Sequence, residues 1–213
     1  MTDLDAFLWE NEVMSRKRTA FGDASALYRY CFENDNGSVP QLAKLRSYVE
    51  SWEDLRQNNV GLLLWGLPGT GKTFAAACIA NALCERGTDV RMTTLGRVLN
   101  ALPSMSVQNK LYYLDELKNC DLLILDDFGM ERQTDYAQEQ VFSIIDGRYL
   151  SRKPMIVTTN LRPQDMRQAE ELMERRIIDR ILEVCVPICF DGPSLRQRKA
   201  EETKARNQEL TSR

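Results

Sequence analysis

The 213-residue sequence contains no histidine. Imidazole metal sites, Ser/His triads and histidine general bases are therefore excluded together. Any catalysis must rest on carboxylates, Lys, Arg and a metal held by oxygen ligands, a set suited to phosphate chemistry. The six cysteines, Cys31, Cys78, Cys84, Cys120, Cys185 and Cys189, form no CxxC pair with metal-ligand spacing and read as reduced packing residues. No apolar run is long enough to cross a bilayer, and the acidic start MTDLDAFLWENEV has no signal-peptide core, so a cytoplasmic protein without a membrane partner is expected. Neither sign of charge dominates: the formal net charge is −3 and the pI about 5.3. That balance rules out coating nucleic acid by bulk electrostatics and leaves only focal basic contacts. Repeats and low-complexity linkers are also missing, which argues for one folded domain.

With 43% hydrophobic residues, the chain can bury one good core. Leu4, Phe7, Leu8 and Met14 share one face of a short helix, an N-terminal arm over 1–20 expected to dock on its own domain, with a partner-binding arm as the alternative. Pro40 opens a second helix, with Leu42, Leu45, Val49, Trp52 and Leu55 as its apolar stripe beside the first strand. From residue 60, buried strands alternate with amphipathic helices. The strands are VGLLLW, DVRMTTL, DLLILD, PMIVTT and a last one near ILEVCVPI. This pattern predicts an α/β domain over 21–195, with a central five-stranded, mostly parallel sheet covered by helices on both faces. Residues 196–213 read as a charged helix or tail.

The segment GLPGTGKT at 66–73 matches G-x-x-x-x-G-K-[ST] and sits between an apolar strand and a helix, where a P-loop must lie. Gly69 and Gly71 let successive backbone N–H groups turn inward toward phosphate oxygens, at a helix N-terminus whose dipole favours an anion. Lys72 supplies a mobile charge for the β- and γ-phosphates, and the Thr73 hydroxyl is a Mg²⁺ ligand. Gly66, Leu67, Pro68, Gly69, Thr70, Gly71, Lys72, Thr73 and Phe74 are thus the candidate ATP-binding residues.

LLILDD at 122–127 delivers Asp126 to the edge of the sheet as a second Mg²⁺ ligand, direct or through water. Asp127, one residue on, is placed to act as general base toward water. At the end of PMIVTTN, Asn160 orients the attacking water, or touches the γ-phosphate, or simply starts a turn before Pro163. In ERRIIDR, Arg176 and Arg180 lie at i, i+4 on one helical face, suited to a phosphate, to a neighbouring subunit's carboxylate, or to plain solvation.

The order GLPGTGKT, LLILDDFG, IVTTN, ERRIIDRI and FDGPSLR, spanning about residues 20–196, resembles the lid-less AAA+ ATPases of the DnaC/DnaI helicase-loader and IstB-like group. The resemblance implies a P-loop fold without a C-terminal lid domain. Lys72 and Thr73 become Walker A residues, Asp126 and Asp127 Walker B, and Asn160 sensor 1. Arg180, with Arg176 as the alternative, becomes the arginine finger offered to ATP on an adjacent subunit, and Arg196 a γ-phosphate contact. Asp127 stands where many such enzymes have Glu, so slow, switch-like hydrolysis is implied, and a nucleotide-dependent switch with negligible turnover stays open. The expected partners are a replicative helicase, or alternatively a transposase, together with single-stranded DNA bound weakly and ATP-dependently through Arg97 and Lys110. Homo-oligomerisation in the ATP state is expected too.

Overall fold

The computed structural model describes residues 3–35, 37–129, 134–197, 200–201 and 203–204. Its strands are β1 (Gly61–Gly66), β2 (Val90–Thr94), β3 (Leu122–Phe128), β4 (Met155–Thr159) and β5 (Cys185–Phe190). They form one sheet in the order β2-β3-β4-β1-β5, with every neighbouring pair parallel. The helices are α1 (Asp3–Phe21), α2 (Leu42–Glu50), α3 (Trp52–Gln57), α4 (Lys72–Glu85), α5 (Leu95–Ala101), α6 (Val107–Asn119), α7 (Asp135–Ser151), α8 (Pro163–Met166) and α9 (Leu172–Val184).

Strand alternation divides the core into two layers. On β1, Leu62 and Leu64 face a cluster with α2, α4 and the end of α1, whereas Leu63 faces the opposite cluster with α5, α6, α7 and α9. Both faces being covered explains why the strands are continuous apolar runs. The alanine-rich helix α4 is buried along nearly its whole length. Small side chains let it lie close on the sheet, which brings its first turn against the ends of β1 and β3.

Three expectations need correction. Helix α1 forms, but Leu4, Phe7, Leu8 and Met14 are exposed; Val13, Ala20 and Phe21 are the residues it buries. Its second half is held on the domain there, with Lys17 donating to Glu85 at 2.8 Å, so the docking face differs from the one the spacing suggested. The helix after Pro40 is two helices that meet at Ser51. The last strand starts at Cys185, because α9 continues through Ile181 to Val184 in order to bury Ile177, Ile178 and Ile181. The charged tail expected over 196–213 falls mostly outside the described residues. Among the described residues no helix is long and apolar enough to cross a membrane.

Candidate nucleotide site

The sheet order places β4 between β1 and β3. The carboxyl ends of these three strands deliver the phosphate loop, Asn160 and the Asp126-Asp127 pair to one edge, where open α/β sheets bind ligands. There a cleft of about 830 Å³ is lined by Pro68, Gly69, Gly71, Lys72, Thr73, Phe74, Asp127, Asn160 and Arg196, and also by Leu27, Tyr30, Asn34 and Leu195.

The loop is shaped as its residue types require. Gly69 and Gly71 have φ of +83° and +101°, in the left-handed region, which a side chain rarely tolerates. A Cβ on Gly69 would also lie 2.3 Å from the Ser194 Oγ. The closeness has a cause: the Leu195 N–H donates to the Gly69 carbonyl at 2.9 Å, so the chain after β5 folds back over the loop and carries Arg196 into the cleft. Thr70 is buried and closes the loop by donating to the Leu67 carbonyl at 2.8 Å. Gly66 lies beneath the loop against Phe190, and Leu67 is exposed at its rim.

Lys72 is buried, and its Nζ donates to the Gly66 and Leu67 carbonyls at 2.8 Å and to Asn160 Oδ1 at 2.9 Å. Burial pulls its pKa below the usual lysine value, against the opposing pull of the Asp127 and Asp126 charges. The Thr73 hydroxyl lies 3.1 Å from both oxygens of Asp126. Asp126 is itself buried, which raises its pKa above the ordinary carboxylate value; bonds from Thr158 and Thr73 oppose the rise, and the Asp127 charge adds to it. A buried carboxylate beside a hydroxyl suits Mg²⁺, which takes few protein oxygens and completes its shell with phosphate and water. Among the described residues no cluster of three His, Cys, Asp or Glu side chains forms an all-protein metal site. The residues present therefore fit a Mg²⁺-nucleotide: the loop N–H groups and Lys72 would hold phosphates, and Thr73 and Asp126 the metal.

Asp127 is exposed to the cleft, and its backbone φ is +56°. Opposite it, the β3-β4 register runs Leu125↔Val157 and then Phe128↔Thr159, so Asp126 and Asp127 together oppose Thr158 alone. This β-bulge turns the second carboxylate out of the strand and into the cleft.

Leu27, Tyr30 and Asn34 are site residues that sequence reasoning missed. They come from an irregular stretch around two 3₁₀ turns, Ser25–Arg29 and Phe32–Asn34. Asn81 of α4 holds that stretch in place, donating to the carbonyls of Leu27 and Tyr30 at 2.8 and 2.9 Å. Tyr30 meets Phe74 edge-on, their ring centroids 5.2 Å apart. With Leu27 and Leu195 they make the apolar end of the cleft, suited to a flat heteroaromatic base.

Arg176 and Arg180 do not line the cleft. Both lie over the Phe142 ring of α7, at 4.8 and 4.9 Å, and Arg180 pairs with Asp146 at 2.6 Å. Arg97 is exposed and loosely paired with Asp23 at 3.8 Å, while Lys110 lies 5.2 Å from the centre of the Tyr136 ring.

A parallel sheet of this order, with a phosphate loop, a buried acidic strand end and a polar residue on the strand between them, defines a P-loop ATP-binding protein of the AAA+ class. The particular group follows from similarity: the sequence profile of the IstB-like ATP-binding proteins matches residues 16–203, and the chain belongs to that family. It is 31% identical over 200 residues to the replicative helicase loader DnaC of Escherichia coli, covering 89% of this chain and 79% of DnaC. It is 30% identical over 199 residues to an ATP-binding protein of an insertion sequence in Mycobacterium tuberculosis, covering 89% of this chain and 76% of that protein. Among solved structures, DnaI superimposes with a TM-score of 0.67 at 24% identity, covering 83% of this chain and 95% of DnaI.

Proposed function

We propose that this chain is a slow, Mg²⁺-dependent ATPase that works as an oligomeric loader of a replicative helicase on single-stranded DNA. The observation that carries the ATPase reading is the convergence of Lys72, Thr73, Asp126 and Asn160 through direct hydrogen bonds at one cleft. In this reading the phosphates enter between Lys72 and the loop N–H groups, and Lys72 exchanges its carbonyl partners for phosphate oxygens. Mg²⁺, when bound, would neutralise phosphate charge beside Thr73 and Asp126. Asp127 accepts a proton from the attacking water, and Asn160 orients that water. A short aspartate on a left-handed bulge reaches less far than a glutamate would, which supports slow turnover. Arg180 of a neighbouring subunit supplies charge to the γ-phosphate, and Arg196 contacts it from within the same chain.

The loader role is supported by the similarity to DnaC. The nearly equal similarity to the insertion-sequence protein supports a second reading, with a transposase as client and the same nucleotide chemistry. Lys72→Ala tests the common core: ATP affinity should fall at least about tenfold, since the phosphate loop loses its side-chain cation. Unchanged affinity would sink the site assignment. Copurification with a replicative helicase or with a transposase, each in the presence of ATP, separates the two clients.

A further inference from the structure

We propose that Thr158 is a positioning residue for the reaction, a single hydroxyl that sets both the metal-binding carboxylate and the water-activating one. The inference rests on the ATPase reading above and concerns a residue that touches neither phosphate nor cleft. Thr158 lies on β4, the central strand of the sheet, and is completely buried. Its Oγ1 donates to Asp126 Oδ1 at 2.6 Å and accepts from the Asp127 N–H at 3.0 Å. One hydroxyl thereby satisfies its single donor and one of its lone pairs on two consecutive acidic residues.

The bulge explains why such a bond is needed. Two residues of β3 face one residue of β4 at this point, so the ladder lacks a backbone acceptor for one N–H. The N–H that faces the Thr158 hydroxyl at the bulge is that of Asp127, whose φ of +56° is uncommon for a residue with a side chain. The Thr158 hydroxyl supplies the missing acceptor and so holds Asp127 in the conformation that sends its carboxylate into the cleft. Its proton, pointing the other way, fixes the rotation of the Asp126 carboxylate so that an oxygen stays beside Thr73. Asn160, two residues along the chain from Thr158, donates nothing to either acid but accepts from Lys72. The end of β4 and the residue after it therefore reach both halves of the site: Asn160 on the phosphate-loop lysine, Thr158 on the acids. The neighbouring Thr159 does a different task, bonding the Phe128 carbonyl at 2.8 Å beyond the bulge.

The two hydrogen-bonding roles can be removed without changing shape, because valine replaces the hydroxyl with a methyl. Thr158→Val and Thr158→Ser are compared with the unaltered protein for binding of a fluorescent ATP analogue with and without Mg²⁺, for turnover, and for thermal unfolding. In Thr158→Val, metal-free nucleotide binding should stay within about twofold, the strengthening of binding by Mg²⁺ should shrink at least about fivefold, and turnover should fall at least about tenfold. Thr158→Ser, which keeps the hydroxyl, should recover both losses to within about threefold. Full Mg²⁺ dependence in Thr158→Val would overturn the proposal. So would a serine variant as defective as the valine one, which would make Thr158 a packing residue, or an equal loss of metal-free binding, which would mean general collapse of the site. Should the unaltered protein bind Mg²⁺-nucleotide but not turn it over, the ATPase reading fails on its own, and the Mg²⁺ arm still decides the role of Thr158.

Discussion

Arg180 is held by its own subunit, yet the reading above asks it to act on another subunit's ATP, and the two roles predict different outcomes from the same pair of substitutions. Its guanidinium pairs with Asp146 at 2.6 Å and lies over the rings of Phe142 and Tyr149, with the arginine and aspartate side chains only 20% and 24% exposed. Breaking a mostly buried pair of this kind from either side should cost about 2 kcal/mol, above the surface median and below a fully buried pair. At roughly 2–4 °C per kcal/mol for a domain of this size, Tm should fall by about 4–8 °C in both Arg180→Ala and Asp146→Asn. Stability alone therefore cannot separate strut from finger. Turnover can, since removing a finger arginine costs on the order of 10³ in rate without weakening nucleotide binding. Arg180→Ala should be nearly inactive with normal ATP affinity, while Asp146→Asn, which frees the arginine, should keep most of its activity. A mixing experiment adds the test of action in trans. Arg180→Ala subunits have intact pockets and Lys72→Ala subunits intact fingers, so in a random equimolar oligomer about a quarter of head-to-tail interfaces combine the two. Turnover in the mixture, measured by phosphate release, should approach that fraction of wild type. Equal inactivity of Arg180→Ala and Asp146→Asn, together with no rescue in mixtures that demonstrably co-assemble, would make Arg180 a strut between α7 and α9.

Two further outcomes follow from the site. Gly69→Ala combines a left-handed φ of +83° with a Cβ placed 2.3 Å from the Ser194 Oγ, so it should lose about 1–3 kcal/mol of stability and weaken ATP binding. Adding Ser194→Gly should recover only the steric part in calorimetry, and complete recovery would show that the loop conformation is not strained for alanine. Asp126→Asn tests the burial of that carboxylate through pH. Its folded pKa is raised, so its stabilising contribution is full below the unfolded value and is lost as pH rises through the folded one. At pH 7 without metal, Asp126→Asn should therefore melt higher than wild type, the gain should shrink on acidification toward the carboxylate range, and Mg²⁺ should no longer strengthen nucleotide binding. A lower Tm at pH 7 would refute this.

What could be read in advance divides according to where the geometry is encoded. The phosphate loop was legible because its conformation is a property of eight consecutive residues, with glycines where φ turns positive and a lysine at the helix start. Asp126 was legible for a similar reason, since an apolar run ending in acids can only present them at a strand end. The face of α1 was not, because α1 has apolar residues on more than one side and the side that is buried is chosen by α4 and β2. Helix α9 overran the expected strand start for the same kind of reason: Ile181 reads equally well as strand or helix until Ile177 and Ile178 are seen packing beside it. The apolar end of the cleft is set further still from local rules, by Asn81 bonding an aperiodic stretch more than fifty residues away. Thr158 lies at the limit of legibility. In sequence it is an ordinary β-branched strand residue, and only the one-residue mismatch between β3 and β4 gives its hydroxyl two acids to hold. Motif recognition finds the groups proposed to hold the nucleotide, because their type is dictated by phosphate and metal. The groups that aim them are dictated by strand register, and so they become visible only when neighbouring strands are laid side by side.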